Sequence, residues 1–374
     1  MRSTLHPTMS TSGFYSERLD HLRFFAALFV MWWHLSAELK IPDPKAVPDF
    51  PFWSLFDEGH VGVSLFFCLS GYLFYTISAD RTIAYGGFIF NRILRIGPLI
   101  IFWTVFDISV GTRIPAVEVV LAILTTFGSL PGVGWSLIIE MQFYLLFPFL
   151  LRFTRERGVY YLVGLVALMF VLRTIVWLYG GHIRNIGYNT IFGHFDQFLI
   201  GMVVAHWIKN RTAHFGQYAA YLLIGLAVAV ASTHYLNEIG GWRETEDSPV
   251  WIWFPTAQAV GWSLLIAGYA NITGIPRIPV LTAALARLGE WSYSIYWCHI
   301  TVMAGVRGLM AYHVFKAPTT VHGMVNLFVF IAVPCTVAFA AASFYLTEKP
   351  FMDMRKSYSA KIGTAARPVP ASAA

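Results

Sequence analysis

The sequence predicts an all-α integral membrane protein of about ten transmembrane helices with both termini in the cytoplasm. Composition is the first sign: 57% of the 374 residues are hydrophobic and only 12% are charged, about half the charged share of a soluble domain. The mean hydropathy of +0.59 agrees. Second, apolar runs of about twenty residues recur along the chain between short polar loops. Third, basic residues alternate from loop to loop. The net charge of +6 therefore reads as membrane topology rather than as a nucleic-acid patch.

The expected spans are 21–39, 59–79, 94–112, 134–151, 159–179, 189–208, 215–234, 250–271, 289–310 and 321–346. With a cytoplasmic N-terminus, the inward segments carry Arg81, Arg92 and Arg95, then Arg152, Arg155 and Arg157, then Lys209 and Arg211, then Arg277 and Arg287, and finally Lys349, Arg355, Lys356 and Lys361. The outward loops carry Lys40, Lys45, Arg113, Arg184, Arg243 and Lys316. That asymmetry follows the positive-inside rule. Segment Pro115 to Leu130 is too short to span and is expected to be an outward-side or re-entrant helix. The expected organisation is an N-terminal tail (1–20), a membrane domain (21–346) and a C-terminal tail (347–374) whose Pro- and Ala-rich end is disordered. The polar start lacks a small-residue cleavage pattern, so the first span is expected to be an uncleaved anchor. No internal repeat of the kind found in secondary transporters is evident.

In the first span, Arg23 and His34 stand eleven positions apart. At about 100° per residue they return to within roughly 20° of one direction, about 16 Å apart along the axis, with Asp20, Ala27 and Glu38 near the same face. Ionisable side chains inside a span usually line a cavity or pathway. The alternative is an interfacial arginine reaching for headgroups and a core histidine.

In the second span, Gly62, Ser70 and Gly71 permit close helix approach. Arg92 and Arg95, three apart where the third span begins, can face one anion together, and an inner-side pair suits the nucleotide phosphates of a cytosolic donor. Positive-inside anchoring is the competing explanation. Glu140 in Gly134-Trp135-Ser136-Leu137-Ile138-Ile139-Glu140 is a buried carboxylate that requires a partner, for which His34 or a basic group is the natural choice. In the ninth span, Ser292, Tyr296 and His299 recur at i, i+4 and i+7, where they can donate into a cavity or join helices. Cys68, Cys298 and Cys335 lack C-x-x-C spacing and are read as small core residues, with neither a disulfide framework nor a metal site expected.

Taken in order, R-x10-H, the G-V-x-x-F-F-x-L-S-G-Y run, R-x-x-R, W-S-L-x-x-E-x-x-F-Y-L and S-Y-S-x-Y-x-x-H resemble the acyltransferase-3 family of membrane O-acyltransferases across essentially the whole membrane region. The resemblance implies transfer of an acyl group, often acetyl from acetyl-CoA, onto a carbohydrate, lipopolysaccharide or exopolysaccharide acceptor at the outer side of the bacterial inner membrane. Acyl-CoA is then a donor substrate and no cofactor is permanently bound. It points to Arg23, His34, Arg92, Arg95 and Glu140, and further to Ser292, Tyr293 and His299. The segment from Phe192 to Met202 also looks like a family segment and marks Asp196, although His194 stands where many members carry arginine.

The chemistry fits. A thioester is an activated donor, whereas a sugar hydroxyl needs a base, and a buried neutral His34 is placed to act as one. Glu140 then either orients the imidazole, as the third member of a triad does, or binds acceptor hydroxyls. Ser292, Tyr293 and His299 are candidate oxyanion donors. A different class also fits buried histidine and carboxylate: a transporter or flippase with a proton relay, which would consume no thioester.

Overall fold

The computed structural model describes residues 15–39, 50–110, 132–209, 214–274 and 276–361. The expected re-entrant segment Pro115 to Leu130 and the end of the tail expected to be disordered lie outside the described residues. The long helices in chain order are α1 Glu17–Leu39, α2 Val61–Ser78, α3 Tyr85–Ser109, α4 Trp135–Arg157, α5 Tyr160–Leu178, α6 Ile191–Lys209, α7 Phe215–Glu238, α8 Val250–Asn271, α9 Pro279–Glu290, α10 Ser292–Ala311 and α11 Val321–Met352. The described strands, β1 Arg81–Ile83 and β2 Ser359–Lys361, pair antiparallel with Arg81 opposite Lys361.

Among the described residues, eight of these helices are long and apolar enough to cross a membrane. Two expected spans fall outside that set: α1 carries Glu17, Arg18, Asp20 and Arg23, and α10 carries serine, tyrosine and histidine along its first two turns. The polar residues that dilute their hydropathy include the candidate site residues Arg23, Ser292, Tyr293 and His299.

Helix limits depart from expectation at several ends, by four residues at the start of α1 and six at the end of α4 for example, and three departures bear on the site. α3 starts at Tyr85 instead of residue 94, so Arg92 and Arg95 lie about two turns inside the helix rather than at its start. Their charges interrupt the apolar run and hide the true beginning. The expected ninth span, 289–310, corresponds to α10, and a separate helix not expected from the sequence, α9, precedes it and ends at Glu290. His21 Nε2 lies 3.0 Å from the Thr282 carbonyl, and Gly289 lies against the Asp20 backbone, so α9 crosses the lower end of α1. The final helix runs to Met352, past the expected limit at 346, with π turns at Phe328–Ala332 and Phe344–Glu348. Such turns re-aim side chains, and here Glu348 points inward to accept from Ser294 Oγ.

The segments assigned inward converge on one face. Arg155 Nη2 donates to the Ser78 carbonyl at 2.6 Å, Lys209 pairs with Asp80, Arg18 Nη1 donates to the Tyr269 carbonyl at 2.9 Å, and β2 of the tail pairs with β1. The segments assigned outward meet at the opposite face, where Arg184 pairs with Glu246 at 3.3 Å and Glu58 accepts from the Trp242 amide at 3.1 Å. The N-terminal end of α1 and the tail therefore share one face of the bundle, the tail face.

In lipid the helices gain little from hydrophobic association, so contact depends on close packing. A Cβ at Gly62 would lie 2.3 Å from the Ala26 carbonyl oxygen, and one at Gly71 would lie 2.1 Å from that of Phe198. These glycines seat α2 on α1 and α6. Gly71→Ala must push α2 from α6, and overpacking of this kind costs about 1–3 kcal/mol. A lower midpoint of thermal unfolding in detergent is expected, and an unchanged midpoint would show that α2 and α6 separate freely.

Candidate active site

The site forms where α1, α2, α3, α4 and α10 converge. Near the tail face a cavity of about 120 Å³ is bordered by Arg23 from α1, Ser70 and Phe74 from α2, Arg92 and Arg95 from α3, Tyr144 from α4 and Tyr293 from α10. The spacing of three puts Arg92 and Arg95 on one side of α3. Aromatic rings hold them there: the Arg92 guanidinium lies 5.1 Å from the Phe74 ring, 5.5 Å from Phe88 and 5.8 Å from Tyr144, and that of Arg95 lies 4.6 Å from Tyr293. Cation–π contacts stabilise a guanidinium without neutralising it. Arg23 faces the same cavity but is paired with Asp20.

Behind the Ser70, Tyr144 and Tyr293 wall of this cavity stands Glu140, buried one and a half turns into α4. Its Oε1 accepts from Ser70 Oγ at 3.1 Å and from the hydroxyls of Tyr144 and Tyr293. The sequence reading gave Glu140 a histidine or basic partner. The structure surrounds it with hydroxyls instead, since Tyr144 follows by one helical turn and Tyr293 arrives from α10. A second cavity of about 20 Å³ continues beyond it, bordered by Glu140, Ser136, Ser292, Tyr293, Tyr296 and apolar residues including Phe66. Ser292 is fully buried there, and its Oγ has no hydrogen-bond partner among the described residues. Tyr296, by contrast, shares a hydrogen bond of 2.8 Å with Ser136.

His34 lies toward the other end of α1 and, like its partner His299, borders neither cavity. Its Nδ1 is 2.9 Å from the Val30 carbonyl and 3.1 Å from His299 Nε2. The Val30 carbonyl accepts only, so Nδ1 of His34 carries the proton and its lone pair sits on Nε2. His299 Nδ1 faces the Ile295 carbonyl at 3.3 Å, which leaves its Nε2 as an acceptor for His34. His299, expected as an oxyanion donor, is the residue placed to orient His34.

Asp196 stands apart. It is fully buried, paired with Arg173 at 2.8 Å and hydrogen-bonded to Thr256 at 2.5 Å, and it borders neither cavity. His194 beside it meets Gln197 at 2.7 Å and the Tyr188 carbonyl. Sequence reading missed Tyr144, whose spacing from Glu140 was a usable signal, and Arg355, which joins the cavity from the far end of the chain with no local sign.

Residues 16–345 match the family model of the acyltransferase-3 family, described as an acyltransferase domain. No curated protein and no solved structure matches the chain.

Removing one partner of a buried ion pair costs about 3–5 kcal/mol. Arg173→Ala should accordingly cut the yield of folded protein, and Asp196→Asn should lower the unfolding midpoint while leaving turnover per folded molecule unchanged. A selective loss of turnover in well-folded Asp196→Asn protein would return Asp196 to the active site.

Proposed function

The chain belongs to the acyltransferase-3 family, and from that premise we propose that it moves an acyl group, acetyl foremost, from acyl-CoA at the tail face onto a carbohydrate or glycolipid hydroxyl reaching the opposite face of a bacterial inner membrane. One observation carries the proposal. Arg23, Arg92 and Arg95 border the tail-face cavity, Glu140 accepts from Ser70, Tyr144 and Tyr293 of its wall, and a His34–His299 pair stands toward the other end of α1. On this reading the tail face is cytoplasmic, in line with the positive-inside rule.

Arg92 and Arg95, with Arg23, bind the donor phosphates by charge-assisted hydrogen bonds. The pantetheine arm follows the buried surface beside Ala27 toward His34. His34 Nε2 takes the proton of the acceptor hydroxyl as its oxygen attacks the thioester carbon. The imidazolium is stabilised through its Nδ1 proton on His299 and Val30. The tetrahedral oxyanion needs a donor with a proton to spare. Tyr293 donates to Glu140, whereas Ser292 Oγ is uncommitted, so Ser292 is the better placed of the two. Collapse breaks the carbon–sulfur bond, leaving the acyl ester and a CoA thiolate that recovers the proton from His34. Glu140 Oε1 is saturated by three hydroxyls, so its role is to hold Tyr293 and Tyr144 and to receive an acceptor hydroxyl at Oε2 rather than to orient His34.

His34→Ala should lower acyl transfer by about 10² to 10⁴ in normally inserted protein, the usual contribution of a general base. Transfer is followed as release of free CoA thiol that depends on added acceptor, a readout that a proton-relay transporter would not produce. Turnover within a few-fold of the parent would remove His34 as the base. Sidedness has its own measurement. Single cysteines replacing Asp247 should react with an impermeant thiol reagent on intact cells, and those replacing Arg157 should not. The reverse pattern would exchange the donor and acceptor sides.

A further inference from the structure

The arginine cavity has a wall that the family does not account for. The family match ends at residue 345, yet Met352, Arg355 and Tyr358 border the cavity from the C-terminal end of α11 and the segment beyond it. That segment is fastened to the start of α3 as a strap. Asn91, fully buried and adjacent to Arg92, donates from Nδ2 to the Lys356 carbonyl at 2.6 Å and accepts from the Lys356 amide at 3.1 Å. The Ala84 amide donates to the Tyr358 carbonyl at 2.9 Å, the Tyr358 ring lies 5.4 Å from Phe88, and β2 completes the attachment on β1. One short stretch of α3 thus directs Arg92 and Arg95 into the cavity and holds the strap that brings Arg355.

The charges in the cavity do not cancel. Asp20 is taken by Arg23, and Glu290 meets Arg287 at 2.6 Å. Among the described residues, Arg92, Arg95 and Arg355 form no ion pair. Burial, then the nearby guanidinium groups of Arg95 and Arg92, lower the pKa of Arg355 to about 10. Three gathered guanidinium groups suit an anion with several charged oxygens, which can accept from all of them at once.

We propose that Arg355, positioned by the strap that Asn91 fastens, is a phosphate-binding residue of this cavity and forms with Arg92 and Arg95 one site for a polyphosphate ligand. The ligand class is the nucleotide phosphate end of acyl-CoA, an assignment that rests on the proposed acyl-CoA donor. Asn91 is a positioning residue, acting through the strap without touching the ligand.

Titration of CoA, and separately of inorganic pyrophosphate, into the purified full-length chain in neutral detergent tests this. The parent should bind both. Arg355→Ala should weaken both by about tenfold or more, as expected for loss of a hydrogen bond from a charged donor, and Arg355→Lys should restore part of the loss. Lys356→Ala, whose side chain is exposed, should bind as the parent does. Asn91→Ala should weaken CoA binding in the parent and add little in the Arg355→Ala background, because groups acting as one unit are non-additive. Parent-like binding by Arg355→Ala overturns the proposal, as does full additivity with Asn91→Ala for the positioning role. A parent that binds pyrophosphate but not CoA overturns the donor reading and keeps the phosphate site. A parent that binds neither overturns both.

Discussion

An ionisable group buried in a low-dielectric interior must be paired, hydrogen-bonded or matched by a ligand, and the whole arrangement of this protein follows from how each group meets that demand. Asp196 meets it with Arg173 and Thr256, at zero exposure for the pair. Glu140 meets it with three hydroxyls, and Glu348 accepts from Ser294. Arg92 and Arg95 meet it only in part. Aromatic faces hold their planes, and on the proposed reading the phosphates of the donor supply the missing anion. The contrast separates groups that hold the fold together from groups poised for a substrate, although both kinds look alike as isolated charges in a hydrophobic sequence.

The same demand explains why α1 and α10 fall short of the apolar content of their neighbours. α1 carries Arg23 near the tail face and His34 toward the other, and α10 supplies Ser292 and Tyr293 to the cavities and His299 to the histidine pair. Neither helix is suited to face lipid all round: α1 is enclosed along most of its length, and α10 is enclosed over the first two turns that carry its polar residues. α2 makes the enclosure tight, because Gly62 and Gly71 bring its backbone against α1 and α6 and leave Ser70 directed at Glu140. Backbone packing and site geometry are therefore one feature of the chain.

Much of this was legible in the sequence. Spacing foretold that Arg92 and Arg95 share a side of α3, and loop charges foretold which segments gather at one face. The partners were not legible, because they depend on helix rotation and on contacts between distant segments. His34 meets His299, 265 positions away, and Glu140 meets Tyr293, 153 positions away. A carboxylate and a histidine at matching depth invite pairing on paper, yet three hydroxyls satisfy a carboxylate equally well. Arg355 was read as one more inward charge because nothing local distinguishes it from Lys356, whose side chain faces solvent. Helix α9, Pro279–Glu290, was equally hidden, since its twelve residues are too few to read as a span.

For transfer, the donor held by the arginines must reach His34, and the most direct measurement is a structure of the protein with a non-transferable acyl-CoA analogue bound. The account predicts phosphate density among Arg92, Arg95 and Arg355, with the pantetheine arm running past Glu140 so that the thioester position faces His34 Nε2. Density for the nucleotide on the face of Arg184 and Glu246, or an arm that points away from His34, would contradict it.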